Sequence, residues 1–173
     1  LTDVYFATSW IQNNKALVFT CYTVKTRDDK DLFNNLEVEI SLKNGESGFT
    51  TTEKFVRCHN KSVDAVKNPK LWWPNGYGEQ PLYDYKIALL IEGKKVQEIT
   101  GKVGIKQVEL LEEPFTEEAG DGYSFWLIVN GERVFIKGGN WIPMELWPGK
   151  IDERDYEFQI KMSKFANFNM LRV

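Results

Sequence analysis

The sequence is poor in the residues that metal, redox and nucleic-acid chemistry need. It holds two cysteines, Cys21 and Cys58, and a single histidine, His59, in 173 residues. The cysteines stand at no metal-like spacing, and a zinc site with one histidine would lack ligands, so no metal and no cofactor is expected. Lys and Arg number 22 against 25 Asp and Glu, for a net charge of -3, which leaves no basic footprint for nucleic acid. No apolar run approaches the roughly 18 residues of a membrane span, so no membrane partner is expected either. The chain opens at Leu1 on strand-like sequence, with no start Met and no charged segment followed by an apolar one. That points to an excised or processed chain whose targeting information is hidden, with a periplasmic or secreted location favoured over a cytoplasmic one.

What is present suits a soluble globular protein of one or two domains, with 42% hydrophobic and 27% charged residues. The first part reads as strand and turn. In "LEVEISLKNG", Leu36, Val38, Ile40 and Leu42 point one way and Glu37, Glu39 and Ser41 the other, before Asn44-Gly45 turns the chain. In "LYDYKIALLIEGKK", Tyr83, Tyr85, Ile87, Leu89 and Ile91 share a face that ends at Glu92-Gly93. "ALVFTCYTVK", "KVGIKQVEL" and "DVYFATSWI" supply three more strands. Cys21 alternates with Leu17 and Phe19, which predicts a buried thiol in a strand, and a free thiol is preferred to a Cys21–Cys58 disulfide. Strands of this length at this spacing, over about a hundred residues, predict an immunoglobulin-like β-sandwich across 1–110.

Composition changes in "LLEEPFTEEAGDG", Leu110 to Gly122, an acidic stretch with Pro and Gly that predicts a linker at 111–122. Glu112, Glu113, Glu117 and Glu118 there read as a solvated run, not a catalytic pair. Next, Asn130-Gly131 predicts a hairpin turn between two apolar strands in "FWLIVNGERVFIKGGNW". In "KIDERDYEFQIKMSKFANFN" the period lengthens. Asp152 can cap a helix whose Phe158, Met162, Phe165 and Ala166 fall at helical spacing, flanked by Tyr156 and Ile160. Asn167-Phe168-Asn169 stops it, and "MLRV" begins another strand. Strand, helix and strand make a βαβ unit with parallel pairing.

Three segments in order, "NPKLWWPNGYGEQPLY", "FWLIVNGERVFIKGGNWIP" and "KMSKFANFNMLRV", resemble glycoside hydrolase family 2, nearest its β-mannosidase branch. They span roughly Asn68 to Val173; the first half resembles only a generic sandwich. The resemblance implies an immunoglobulin-like domain followed, over 123–173, by the incomplete βαβ start of a (β/α)8 barrel. Barrel active sites lie at the C-terminal ends of the strands, so with "VFIKGG" as the first barrel strand Asn140 and Trp141 would stand at the rim. An aromatic face beside an amide suits a sugar, which offers C–H bonds on one face and hydroxyls at its edge. Arg172, ending the second strand, matches a family arginine near the catalytic carboxylates, where its charge would keep a nucleophile ionised. Asn140, Trp141 and Arg172 are therefore the candidate substrate-binding residues.

Each has a plainer reading. Trp141 could plug the core where strand meets loop, Asn140 could serve a turn, and Arg172 could form a surface ion pair. For Trp141 the resemblance reverses the preference. Trp72, Trp73 and Tyr77 are read as structural, within the sandwich, and His59 as exposed.

Retaining hydrolysis needs an acid and a nucleophilic carboxylate about 5–5.5 Å apart. In the family both are glutamates on later barrel strands, and a complete barrel takes about 250 residues, so neither is expected in this chain. The expectation is a non-catalytic part of a retaining exo-β-glycosidase whose whole protein takes carbohydrate. The alternative is a stand-alone carbohydrate-binding or adhesion sandwich. Two strands and a helix cannot close a barrel, so self-association through the truncated segment is a further expectation.

Overall fold

The computed structural model describes residues 1–25, 35–55, 59–117, 120–145 and 148–173. It is mainly β and divides into two compact units. The first comprises Leu1–Trp72 and Gln80–Gln107, the second Trp73–Glu79 and Val108–Val173.

The first unit is a two-sheet β-sandwich. Its strands are β1 (Thr2–Gln12), β2 (Lys15–Thr23), β3 (Leu36–Asn44), β4 (Ser47–Lys54), β5 (His59–Lys67), β6 (Tyr83–Ile91) and β7 (Lys94–Val103). One sheet runs β1-β2-β5 and the other β4-β3-β6-β7, all antiparallel. Compared with the constant-type immunoglobulin arrangement, the fourth strand stays beside the third, which gives sheets of three and four. Turn chemistry fixes the register. Asn13 and Asn14 adopt φ of 51° and 56° and join β1 to β2, and Glu92 and Gly93 at 50° and 73° join β6 to β7. Two residues at positive φ are what the twist-matched type I′ hairpin requires.

The predicted face of β3 is the buried one: Leu36, Val38, Ile40 and Leu42 face the core with Ile87 and Leu89 of β6, Ala16, Val18 and Tyr22 from the opposite sheet, and Val24 just after β2. Tyr83 opens β6 fully buried. Its phenol oxygen accepts from Lys70 N–H at 2.8 Å and bonds Ser47 Oγ at 2.9 Å. The ring thus reaches back to backbone upstream of its own strand, as the tyrosine corner of such sandwiches does.

Several expectations need correction. On β2 the buried face is Ala16, Val18, Thr20 and Tyr22, so Cys21 lies on the other face with Leu17 and Phe19 and is only half-buried. Cys21 is a free thiol, and Cys58 lies outside the described residues. "KVGIKQVEL" is not one strand: β7 ends at Val103, and the next strand starts at Val108. Between them Trp72 N–H bonds Ile105 C=O at 2.9 Å and Gly104 lies against the Trp72 ring.

The second unit opens where a linker was expected. The described residues there are strand: β8 (Val108–Glu117) pairs with β9 (Gly120–Val129) in unbroken register. Pro114 read as a breaker, but β8 is the edge of the sheet β10-β9-β8, where a residue without N–H is tolerated. Asn130 and Gly131, at φ of 51° and 86°, turn β9 into β10 (Glu132–Val134) as expected. "VFIKGG" divides. Val134 ends β10, and Gly138–Asn140 forms β11, which pairs in parallel with β12 (Met170–Arg172).

Helix α1 (Glu153–Phe165) lies between β11 and β12 in the chain, completing the βαβ element. Asp152 caps it in a full capping box, accepting from Arg154 and Asp155 N–H while the Asp155 carboxylate accepts from Asp152 N–H. Asn167, at φ 61°, ends it in a Schellman motif, with Phe168 N–H on Ser163 C=O and Asn167 N–H on Lys164 C=O, both at 3.0 Å. No residue of α1 is buried.

Candidate functional site

The candidate residues meet at the C-terminal ends of the parallel pair. Asn140 and Arg172 are register partners, and Trp141 N–H donates to Arg172 C=O at 2.7 Å, extending the pairing by one residue. Gly138 makes the approach close: a β-carbon there would fall 1.9 Å from the Met170 carbonyl oxygen. Only glycine allows this pair its spacing.

Trp141 is half-buried and stacks on Tyr156 of α1, with ring centroids 6.4 Å apart and planes 14° from parallel. Among the described residues one aromatic ring stacks on it, and it is not fully buried, which counts against the core-plug reading. Asn140 and Arg172 are exposed, and among the described residues Arg172 forms no ion pair. An exposed amide, a half-buried indole and an exposed guanidinium therefore stand together. They can donate hydrogen bonds to hydroxyls, cover a C–H face and attract a carboxylate.

The other singled-out residues serve the fold. Lys106 Nζ lies 4.0 Å over the Trp72 ring, and burial pushes its ammonium pKa below the usual lysine range. Trp73 packs against Gly78. The stretch Trp73–Glu79, expected inside the sandwich, belongs to the second unit: the Tyr77 phenol accepts from Phe135 N–H at 2.8 Å, and Asn75 Nδ2 donates to Phe168 C=O at 3.2 Å. The Glu113 carboxylate of the acidic run accepts two bonds, 3.0 and 3.1 Å, from Arg133, which also lies over Trp126. Glu118 and the His59 side chain lie outside the described residues. Among the described residues no group of three or more His, Cys, Asp or Glu could hold a metal, and no helix is long and apolar enough to cross a membrane.

Sequence reading missed Tyr156, which counted only as a flank of the apolar helix face, and Asn169, which counted only as part of a helix stop. The chemistry of Asn169 is visible once its partners are known. It offers a donor and an acceptor together.

Comparison with known proteins places the chain in a family. The profile described as Glycosyl hydrolases family 2 matches residues 1–106. A β-mannosidase of Bos taurus is 33% identical over 140 residues, covering 81% of this chain and 14% of that protein. The crystal structure of a β-D-mannosidase from Dictyoglomus thermophilum superposes with a TM-score of 0.82 at 29% identity, over 100% of this chain and 21% of that one. A β-glucuronidase of Parabacteroides merdae shares the fold, with a TM-score of 0.70 at 14% identity over 98% of this chain and 20% of that one. The chain thus spans about a seventh to a fifth of the length of these relatives.

Proposed function

The chain belongs to glycosyl hydrolases family 2, and from that premise we propose that it supplies the immunoglobulin-like sandwich and the opening βαβ element of a (β/α)8 barrel in a retaining exo-β-glycosidase. Terminal β-mannosides are the proposed substrate, with β-galactosides, β-glucuronides and glucosaminides as related alternatives. In this reading Leu1–Trp72 and Gln80–Gln107 are the sandwich, and the second domain takes Trp73–Glu79 and runs on from β8, without a linker. The observation that carries the reading is the parallel β11–β12 pair joined through α1, with Asn140, Trp141 and Arg172 at one end of it. Catalytic groups of barrel enzymes gather at that end. The glycoside C–H face would lie on Trp141, its hydroxyls would bond Asn140, and Arg172 would favour the ionised form of a nucleophilic carboxylate.

The acid and the nucleophile of retaining hydrolysis are not assigned to any residue of this chain. A closed barrel takes about 250 residues, far more than come after Gln107 here. In this reading the polypeptide contributes to sugar binding within the whole enzyme and does not itself cleave. A self-sufficient carbohydrate-binding or adhesion module would have no use for a helix with exposed Phe158, Ile160 and Phe165. Those side chains give the isolated polypeptide a surface for self-association, which sedimentation at rising concentration would show.

The gene read past the codon for Val173 tests the proposal. It should continue for several hundred residues with an Asn-Glu at a strand end and a later glutamate; a stop codon or an unrelated domain there contradicts it. The polypeptide itself should release nothing from an aryl β-mannoside. Turnover that survives repurification would place the carboxylates within this chain.

A further inference from the structure

Phe135–Lys137 carries the chain from β10 to the rim and lies in no strand. Of the six backbone N–H and C=O groups in this segment, side chains pair with three and a backbone amide with a fourth. Phe135 N–H donates to the Tyr77 phenol oxygen at 2.8 Å, and Phe135 C=O accepts from Asn169 Nδ2 at 2.9 Å. Lys137 N–H donates to Asn169 Oδ1 at 2.8 Å, and Lys137 C=O accepts from the Asn169 backbone N–H, also at 2.8 Å. One asparagine thus stands in for a neighbouring strand across this segment.

Its position matters because two glycines come next in the chain. Gly138 and Gly139 contribute no side chain to hold the backbone, so the direction in which Asn140 and Trp141 leave the strand depends on the three-residue pairing with β12 and on the anchors at its two ends. One anchor is the Trp141 N–H bond to Arg172 C=O. The other is the Asn169 bracket on Lys137, and Asn169 lies in the same short run of chain as Arg172. The Schellman motif at Asn167 sets where Asn169 falls after α1, and Asn75 ties Phe168 between them.

We infer that Asn169, aided by Tyr77, is a positioning residue that fixes Phe135–Lys137 against β12 and so aims Asn140, Trp141 and Arg172 at the rim. Only an amide of this length supplies the donor and the acceptor at once: aspartate keeps the acceptor and loses the donor, and alanine loses both. The inference rests on the glycosidase reading for what the rim is for. The bracket can be tested without any sugar, so its failure and the failure of that reading are separate results.

The experiment is amide hydrogen exchange by NMR on the full chain and its N169A, N169D and Y77F variants, together with the Trp141 indole N–H shift. In N169A the Lys137 and Trp141 amides should each exchange about tenfold faster, the scale of one lost hydrogen bond, and the indole signal should move, while the amides of Val38 and Ile87 in the sandwich stay unchanged. N169D should restore protection at Lys137 but only part of it at Trp141. Y77F should speed Phe135 and, to a smaller degree, Trp141, and it carries the test if N169A unfolds the second unit: a Phe135 or a Trp141 amide as protected as before then overturns the inference. Faster exchange at Lys137 with Trp141 and its indole unmoved would also overturn the inference, since the bracket would then not reach the rim.

Discussion

Ile40, Leu42 and Ile87 in the sandwich are 0% exposed, whereas Phe158 and Phe165 on α1 are 59% and 83% exposed. Both regions carry apolar residues at the right period, and only one buries them. The sandwich faces its two sheets on each other and closes a core from its own strands. In the second unit, only Pro74, Val129 and Val134 among the described residues are buried, and order there comes from local devices: a hairpin turn, a capping box, a Schellman stop and side chains that replace a strand. The contrast separates two sources of structure. Packing makes a domain self-sufficient, while caps and turns fix shape without supplying a core.

Core truncation should show the contrast most strongly. Ile40→Ala removes a side chain with no exposure and should lower sandwich stability by about 2–5 kcal/mol. Phe165→Ala should stay within about 0.5 kcal/mol. Urea unfolding followed by tyrosine and tryptophan signals would measure both. Equal losses would break the comparison.

Next comes the hydrogen bond that locks the sandwich corner. Tyr83→Phe leaves Lys70 N–H without its phenol acceptor and should cost about 1–3 kcal/mol in the same unfolding assay. Gly138→Ala acts on the other region at a similar scale. It drives a methyl into the Met170 carbonyl, costs about 1–3 kcal/mol of local order, and should remove the exchange protection of the β11–β12 amides while leaving the sandwich midpoint unchanged.

The smallest effects are those of pH, and they separate the regions by sign. The bonds from Arg154 and Asp155 hold the Asp152 carboxyl below its usual 3.8. A depressed carboxylate stabilises above its unfolded pKa and loses that contribution as pH falls through the folded one, so α1 should fray only below about pH 3.8. Tyr22, in the sandwich, is pushed up to about 12 by burial and then by Glu53. A raised tyrosine gives its full stabilisation below 10 and loses it as pH climbs towards 12, so the sandwich should weaken on the alkaline side. Circular dichroism of the helix and tyrosinate absorbance would follow the two limbs.

Much of this was legible in the sequence where one face was plainly apolar, as in β3, or where a turn or cap has fixed chemistry, as at Asn130-Gly131 and Asp152. It failed where both faces were apolar. On β2, Ala16, Val18 and Tyr22 compete with Leu17, Phe19 and Cys21, and the pattern alone cannot choose the side that meets the other sheet. It failed again at Pro114, because edge position is a property of the sheet. Strands β4 and β5, rich in Thr, Lys and Ser, went unnoticed beside their more apolar neighbours. The rim residues came from family resemblance. The bracket on Phe135–Lys137 joins residues 58 and 34 positions apart, a relation that no local pattern carries.

Native-state hydrogen exchange at increasing urea tests the central contrast most directly. Amides of β3 and β6 should merge into one global unfolding free energy, and those of α1 and β12 should open far below it, independently of urea at first. The contrary result is that the amides of α1 are as protected as those of β3 and join the same global transition in a monomer. The second unit would then have a buried core of its own, and the proposal that it opens a barrel would fail.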